Sequence, residues 1–367
     1  MDDLDDSRGQ GLPLLATWPA YWRWALLLGL SALLVFLLEL ARLPAALLLG
    51  PMIAGIALGA GEAGITVPAP VFLVASSVIG CLMARSLPPS VFVELVQEWP
   101  LYLLGIGSVI VVAAGLGILL TRLQVLPGTT AIWGSAPGAA SAMIIMADAF
   151  GADARLVAFM TYLRVALVAL AASLVARFAT PDSAALPAAT WFPPVDVGPF
   201  VATMLLVVAG LAVSRFTRIP AGGMLTPMIL GVALQAAIGF SIELPPALLT
   251  LCYAIVGWTI GLRFTRPILA HAARALPAAL GSMIALIAIC GLFALLLVRF
   301  AGIDPLTAYL ATSPGGADSV AIIAANSPVD VPFVMAMQAG RFIVVLLTGP
   351  ALARWIATRK WVVSMGG

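Results

Sequence analysis

One histidine and three cysteines in a chain of 367 residues leave almost nothing to hold a transition metal. Copper, iron and zinc sites draw on clustered imidazoles and thiolates. Here His271 stands alone, and Cys81, Cys252 and Cys290 lie far apart in apolar stretches. The same scarcity excludes a disulfide framework, so the cysteines read as small core residues. Charge is also scarce: 9% of the residues are charged, against about 25% in a soluble domain. The net charge of +2 gathers into no basic patch, and nucleic-acid binding has no support. No nucleotide-binding motif is present and no nucleophile stands beside a base. Neither a cofactor nor an enzymatic activity is expected.

Apolar residues make up 62% of the chain, with a mean hydropathy of +1.13. That much apolar surface needs a lipid bilayer for solvent. Spans of roughly 20 apolar residues are readable at 22–40, 43–60, 65–84, 99–120, 130–148 and 153–177. A second set lies at 198–214, 219–240, 244–262, 276–298, 306–326 and 331–355. Residues 178–197, rich in Pro, Ala, Ser and Asp, join two membrane halves, 21–177 and 198–356, flanked by polar tails 1–20 and 357–367. The acidic N-terminus lacks the basic region of a cleaved signal peptide, so the first span is expected to be retained. Trp18, Trp22 and Trp24 are placed to anchor it at the interface.

The second half echoes the first at a spacing of 177. Pro137-Gly138 is matched by Pro314-Gly315, Asp153 by Asp330, Met160 by Met337, Arg164 by Arg341 and Arg177 by Arg354. Earlier, at 176, Pro51-Met52-Ile53 is matched by Pro227-Met228-Ile229. Chance similarity between Leu/Ala-rich helices does not align Pro, Gly, Asp and Arg together.

The charges between spans orient the halves. Setting Arg164 and Arg341 aside leaves 16 of the 18 Lys and Arg residues. If all twelve segments cross, the sides receive eight each. If 130–148 and 306–326 enter and leave on one face, one side holds twelve and the other only Arg42, Arg85, Arg177 and Arg299. The positive-inside tendency favours the second arrangement. It puts both termini in the cytoplasm, gives five crossings per half, and inverts one half relative to the other. The expected fold is therefore all-α and polytopic, with two inverted repeats in the cell inner membrane.

The two exceptional segments are Gly134-Ser135-Ala136-Pro137-Gly138-Ala139-Ala140-Ser141 and Thr312-Ser313-Pro314-Gly315-Gly316-Ala317-Asp318-Ser319. Proline interrupts a helix and glycine lets the backbone turn. A half-helix is expected to restart near Ala139 and Gly316. The unpaired amides at its start carry partial positive charge, with Ser141 and Ser319 beside them. Two such ends facing each other suit an anion. An ordinary proline kink, with the serines bonded to their own helix, is the alternative.

Arg164 and Arg341 sit near the middle of each half's last span. Burying a guanidinium there costs about 2.5 kcal/mol or more. It is expected to bind an anionic solute, or to clamp the broken segment through carbonyls or a carboxylate, with Asp148 or Asp318 as partner. Thr161 and Gln338, three residues before each Arg, share its helix face. Asp153 and Asp330 are expected to cap helices, Asp318 is the candidate proton carrier, and His271 reads as a solvated loop residue.

With these residues the chain resembles the duplicated AbrB-type integral membrane proteins, over about residues 25 to 356. Ser313-Pro314-Gly315-Gly316, Asp330, Gln338 and Arg341 carry the likeness most specifically. The first copy departs from it at Ala139 and Thr161. Such proteins carry labels of transcriptional regulator or ammonia monooxygenase, neither of which these residues support. A weaker similarity links the architecture to bile-acid symporters and sodium/proton antiporters. The resulting expectation is a secondary transporter of a small anionic solute, working as a homodimer and driven by H⁺ or Na⁺. Its site would comprise Pro137, Gly138, Ser141, Arg164, Pro314, Gly315, Gly316, Asp318, Ser319, Gln338 and Arg341. A channel or a solute sensor is the alternative, and a membrane oxidoreductase stands further off.

Overall fold

A computed structural model describes residues 17–41, 46–88, 90–123, 129–136, 147, 151–179, 194–217, 222–273 and 275–357. All of its regular structure is helical. The first half contributes α1 (Ala20–Leu40), α2 (Ala46–Ala60), α3 (Ala69–Arg85), α4 (Ser90–Gln97), α5 (Trp99–Arg122), α6 (Thr130–Ser135) and α7 (Ala154–Ala179). The second contributes α8 (Val197–Thr217), α9 (Gly222–Ile238), α10 (Pro246–Gly261), α11 (Arg266–Ala272), α12 (Leu276–Ala301), α13 (Pro305–Thr312), α14 (Ala317–Ala325) and α15 (Val331–Ala357). Moving the bounds of α1–α7 by 177 reproduces those of α8–α13 and α15 to within two residues.

Proline sets several helix starts. It stands in the first turn of α3, α5, α10, α12 and α13, where its missing N–H costs nothing. Helices α1, α5, α7, α8 and α12 are long and apolar enough to cross a membrane, and α10 and α11 form a pair bent by 53°. Large side chains on the outer faces are exposed, among them Leu33 and Phe36 of α1, Leu205 and Val208 of α8, and Leu292 and Leu295 of α12. Apolar residues facing outward along helices of this length need lipid around them. The chain is a multi-pass membrane protein.

The helices form two groups. In the first, α2 packs on α10 and α3 on α9, so each half's second and third helices grip the other half's, with α1 and α8 outside. Glycines permit the close approach: a Cβ on Gly261 would lie 2.2 Å from Met52 O, and one on Gly80 would lie 2.2 Å from Met224 O. In the second group α5 and α12 cross, with α6, α7, α13, α14 and α15 around them. Their crossing buries Val109, Ala113, Leu286 and Cys290. These are two pairs of residues 177 apart, so the two halves meet there through equivalent positions.

The short helices α4 and α11 fall in the stretches left between spans, 85–98 and 263–275. At 8 and 7 residues they are too short to show a period. All three cysteines are free and buried.

Candidate functional site

The broken segments organise the second helix group. Helix α6 stops at Ser135, where Ala136 turns extended at ψ 125°. Helix α13 stops at Thr312, where Ser313 does the same at ψ 136°. Chain direction resumes as helix only at Ala317, after an extended Gly316. The last carbonyls of α6 and α13 are thus left without helical partners in a place remote from water.

The two arginines satisfy those carbonyls. Arg164 is 1% exposed, and its Nη1 donates to Ala136 O at 2.8 Å, Ser135 O at 3.2 Å and Gly134 O at 3.5 Å. Arg341 is 3% exposed; its Nη1 donates to Ser313 O, and its Nη2 to Gly315 O at 2.8 Å and Gln338 Oε1 at 2.5 Å. Gln338 Nε2 in turn donates to Leu310 O at 2.6 Å. Since Ala136 and Ser313 are themselves 177 apart, one device is built twice. A cation at a helix C-terminus also meets the negative end of its dipole.

The clamp does not use every donor. The Nε of each arginine is buried without a partner among the described residues. The two guanidiniums hold equivalent places on α7 and α15, 177 residues apart. Among the residues whose side chains are described, no carboxylate forms an ion pair with either arginine. Two like charges therefore share an apolar interior, held by carbonyl dipoles.

The remaining sequence-predicted residues divide. Pro137, Gly138, Ser141 and Asp148 lie outside the described residues, as does most of the linker. Gly315 accepts from Arg341, and Gly316 caps α14. Pro314 stands between Ser313 and Gly315 in the break, and Asp318 is the second residue of α14. Ser319 is 2% exposed on the same half-helix. Thr161, unlike Gln338, bonds its own helix at Val157 O, 2.8 Å away.

The residues flanking each broken segment meet. Asp330 N donates to Thr307 Oγ1 at 3.1 Å, and Asp153 N donates to Thr130 Oγ1 at 3.2 Å, each across 23 residues. A straight helix of that length would part its ends by about 34 Å. These threonines are 177 apart; the echo contained them, but nothing in the sequence gave them a role. Both aspartates cap the following helix. Asp153 Oδ1 accepts from the amides of Arg155 and Leu156, each at 3.0 Å, and Asp330 Oδ1 from that of Phe333 at 3.0 Å.

The two meeting points lie at opposite ends of α12, which is about 39 Å long at 1.5 Å per residue. Asp330 lines a cavity of about 1020 Å³ with Ala301 and Gly302 from the end of α12 and with Glu98 and Asp304. Asp153 instead bonds His271, five residues before α12 begins, with Oδ2 and Nε2 2.5 Å apart. His271 is exposed, as expected, but the expectation of a loop is corrected: it sits on α11 and pairs with the other half. Burial pushes the Asp153 carboxyl up. The His271 hydrogen bond, the Leu156 amide, the His271 charge and the Arg155 amide together outweigh it, leaving the group below its ordinary value.

This is a polytopic, all-helical membrane protein built from two like halves around a pair of buried arginines. Residues 59–357 match the family described as "Transition state regulatory protein AbrB", and the chain belongs to that family. It is 47% identical over 338 residues to the "Putative regulator AbrB" of Escherichia coli (strain K12), covering 92% of this chain and 97% of that one. It is 26% identical over 295 residues to the "Uncharacterized protein YhjN" of Bacillus subtilis (strain 168), covering 76% of each. No solved structure matches.

Proposed function

We propose that the protein is a secondary transporter of a small anion, a carboxylate first of all, working by alternating access with H⁺ or Na⁺ coupling. One observation carries the reading: two guanidiniums, 1% and 3% exposed, have no described carboxylate to neutralise them, and each keeps a buried Nε without a described partner. An anion entering beside them would neutralise buried positive charge and meet the unpaired Nε donors. The start of α14 would add partial positive charge from its first amides.

In this reading the halves are inverted repeats. Support comes from the equivalent Asp153 and Asp330, which stand at opposite ends of α12. The group of α5–α7 with α12–α15 would move against a scaffold of α1–α3 with α8–α10, the scaffold pairing with a second copy. The charge count supports the inner membrane with both termini cytoplasmic. The cavity bearing Glu98, Asp304 and Asp330 would draw the coupling cation to its end.

Purified protein in liposomes tests this. A thermal-shift screen of small carboxylates selects the solute, and uptake is then driven by an imposed proton or sodium gradient. Accumulation above equilibrium, abolished by collapsing the gradient, is expected. Uptake that only equilibrates would mean a channel. Binding without movement would mean a sensor, the reading favoured by the relative named a putative regulator.

A further inference from the structure

A crevice of about 120 Å³ lies where α7 meets the elbow between α10 and α11. Ala158, Phe159 and Tyr162 line it from α7, and Arg263, Phe264 and Ile268 from the elbow. Its floor is apolar: the buried Phe159 and Phe264 meet edge to face, with centroids 5.9 Å apart and planes at 74°. Its rim is positive. Arg263 is exposed, and its guanidinium lies 5.8 Å over the Tyr162 ring. Arg155, also exposed, precedes Phe159 and Tyr162 by four and seven residues, which puts it on the same face of α7. Among the residues whose side chains are described, no carboxylate pairs with either arginine. Asp153, two residues before Arg155, is taken by His271 at 2.5 Å. Arg263 stands two residues past the end of α10 at Gly261. A cation where a span leaves the hydrocarbon lies at the level of the lipid headgroups.

The other half has no such place. At the 177-residue spacing, Phe159 and Tyr162 are answered by Ala336 and Ala339, Arg263 and Phe264 by Ser86 and Leu87, and Arg155 by Pro332. Ala336, Ala339 and Leu87 are buried. The echo keeps the clamp and the caps but drops these rings and these charges together. Neither the fold nor the clamp therefore requires them.

We infer that this crevice holds one anionic phospholipid of the surrounding bilayer, with its phosphate on Arg263 and part of an acyl chain over Phe159 and Phe264. An apolar floor with a cation at its mouth matches a molecule with a hydrocarbon tail and a negative head. A free anion would leave the floor uncovered. A zwitterionic lipid would bring its own cation beside Arg263 and Arg155. The bound lipid bridges α7 of one helix group and the elbow that leaves the other. This binding does not depend on transport: a protein that holds the lipid and moves no solute loses the transporter reading and keeps the lipid site.

Native mass spectrometry of the detergent-purified protein, given equal amounts of phosphatidylglycerol and phosphatidylcholine, reads the site directly. The parent is expected to retain one phosphatidylglycerol in preference. Arg263→Gln should weaken that retention about fivefold, the worth of one basic residue at a membrane surface. Arg263→Lys, which keeps the charge, should stay within about twofold of the parent. Arg299→Gln, in the last turn of α12 at its far end from α11, should change nothing. A large excess of glycerol 3-phosphate, the headgroup without its chains, should leave the lipid in place. Equal retention of the two lipids by the parent, or an unmoved Arg263→Gln, would overturn the inference. So would an equal fall in Arg299→Gln, which would mean unspecific attraction, or an equal fall in Arg263→Lys, which would mean lost packing on Tyr162. Displacement by glycerol 3-phosphate would make the crevice a site for a soluble anion instead.

Discussion

Arg341→Met puts the clamp to a quantitative test. The substitution removes the donor to Ser313 O, Gly315 O and Gln338 Oε1. Each orphaned acceptor costs about 1–3 kcal/mol when buried. Taking about 1.5 kcal/mol for each gives about 4.5 kcal/mol. Against this, the mutant no longer buries a guanidinium, which returns about 2.5 kcal/mol. The expected net loss is about 2 kcal/mol. Gln338→Leu takes one of two donors from Leu310 O, which keeps the Ser313 hydroxyl, and removes the same shared bond from the other side. The double mutant should therefore be more stable than the sum of the singles by about 1.5 kcal/mol, the worth of one charge-assisted hydrogen bond. Reversible unfolding in mixed micelles, followed by tryptophan fluorescence, measures all three. An additive cycle would refute the Arg341–Gln338 link. An Arg341→Met variant as stable as the parent would refute the claim that the arginine satisfies the broken segment.

Further outcomes follow from other features. Gly80→Ala should destabilise by about 2 kcal/mol or more, because its Cβ would sit 2.2 Å from Met224 O. Gly281→Ala, with nothing within 4 Å, should stabilise α12 by up to about 1 kcal/mol in the same unfolding assay. The lowered Asp153 carboxyl stabilises the fold above its ordinary value near 3.8, and that contribution goes as pH falls through the folded value. Asp153→Asn should thus flatten the fall in melting temperature below about pH 4. In the folded protein Cys81, Cys252 and Cys290 should resist maleimide until denaturant is added, as counted by mass spectrometry.

The legible parts of this molecule were those that repeat or that break a pattern. The long spans followed from uninterrupted apolar runs, and the interruptions at Pro137 and Pro314 stood out against them. The arginines are conspicuous because no water waits at mid-span. What they touch was not legible. A guanidinium suits a carboxylate as well as a carbonyl, and the choice depends on where α6 and α13 stop in space. The pairing of His271, exposed as expected, is hidden for a related reason. Its partner is 118 residues away on the other half, and only the packing of α11 against α7 brings the two together. The glycines of the crossing helices were equally silent, since a glycine at a contact reads the same as one facing lipid. Gly261 and Gly281 differ only in what surrounds them.

The exchange of partners between α2 and α10, and between α3 and α9, has a consequence for how the chain is made. When α2 and α3 leave the ribosome, the helices they grip have not been synthesised. Gly55 must wait for Gly261, and Gly80 for Met224. Such long sequence separation delays the reward for closing the contact. In the first half, α2 and α3 must therefore sit in the bilayer without these partners until the second half arrives. Expressed alone, either half should be inserted yet loosely packed and quickly degraded, whereas the two halves expressed as separate polypeptides should find each other and persist.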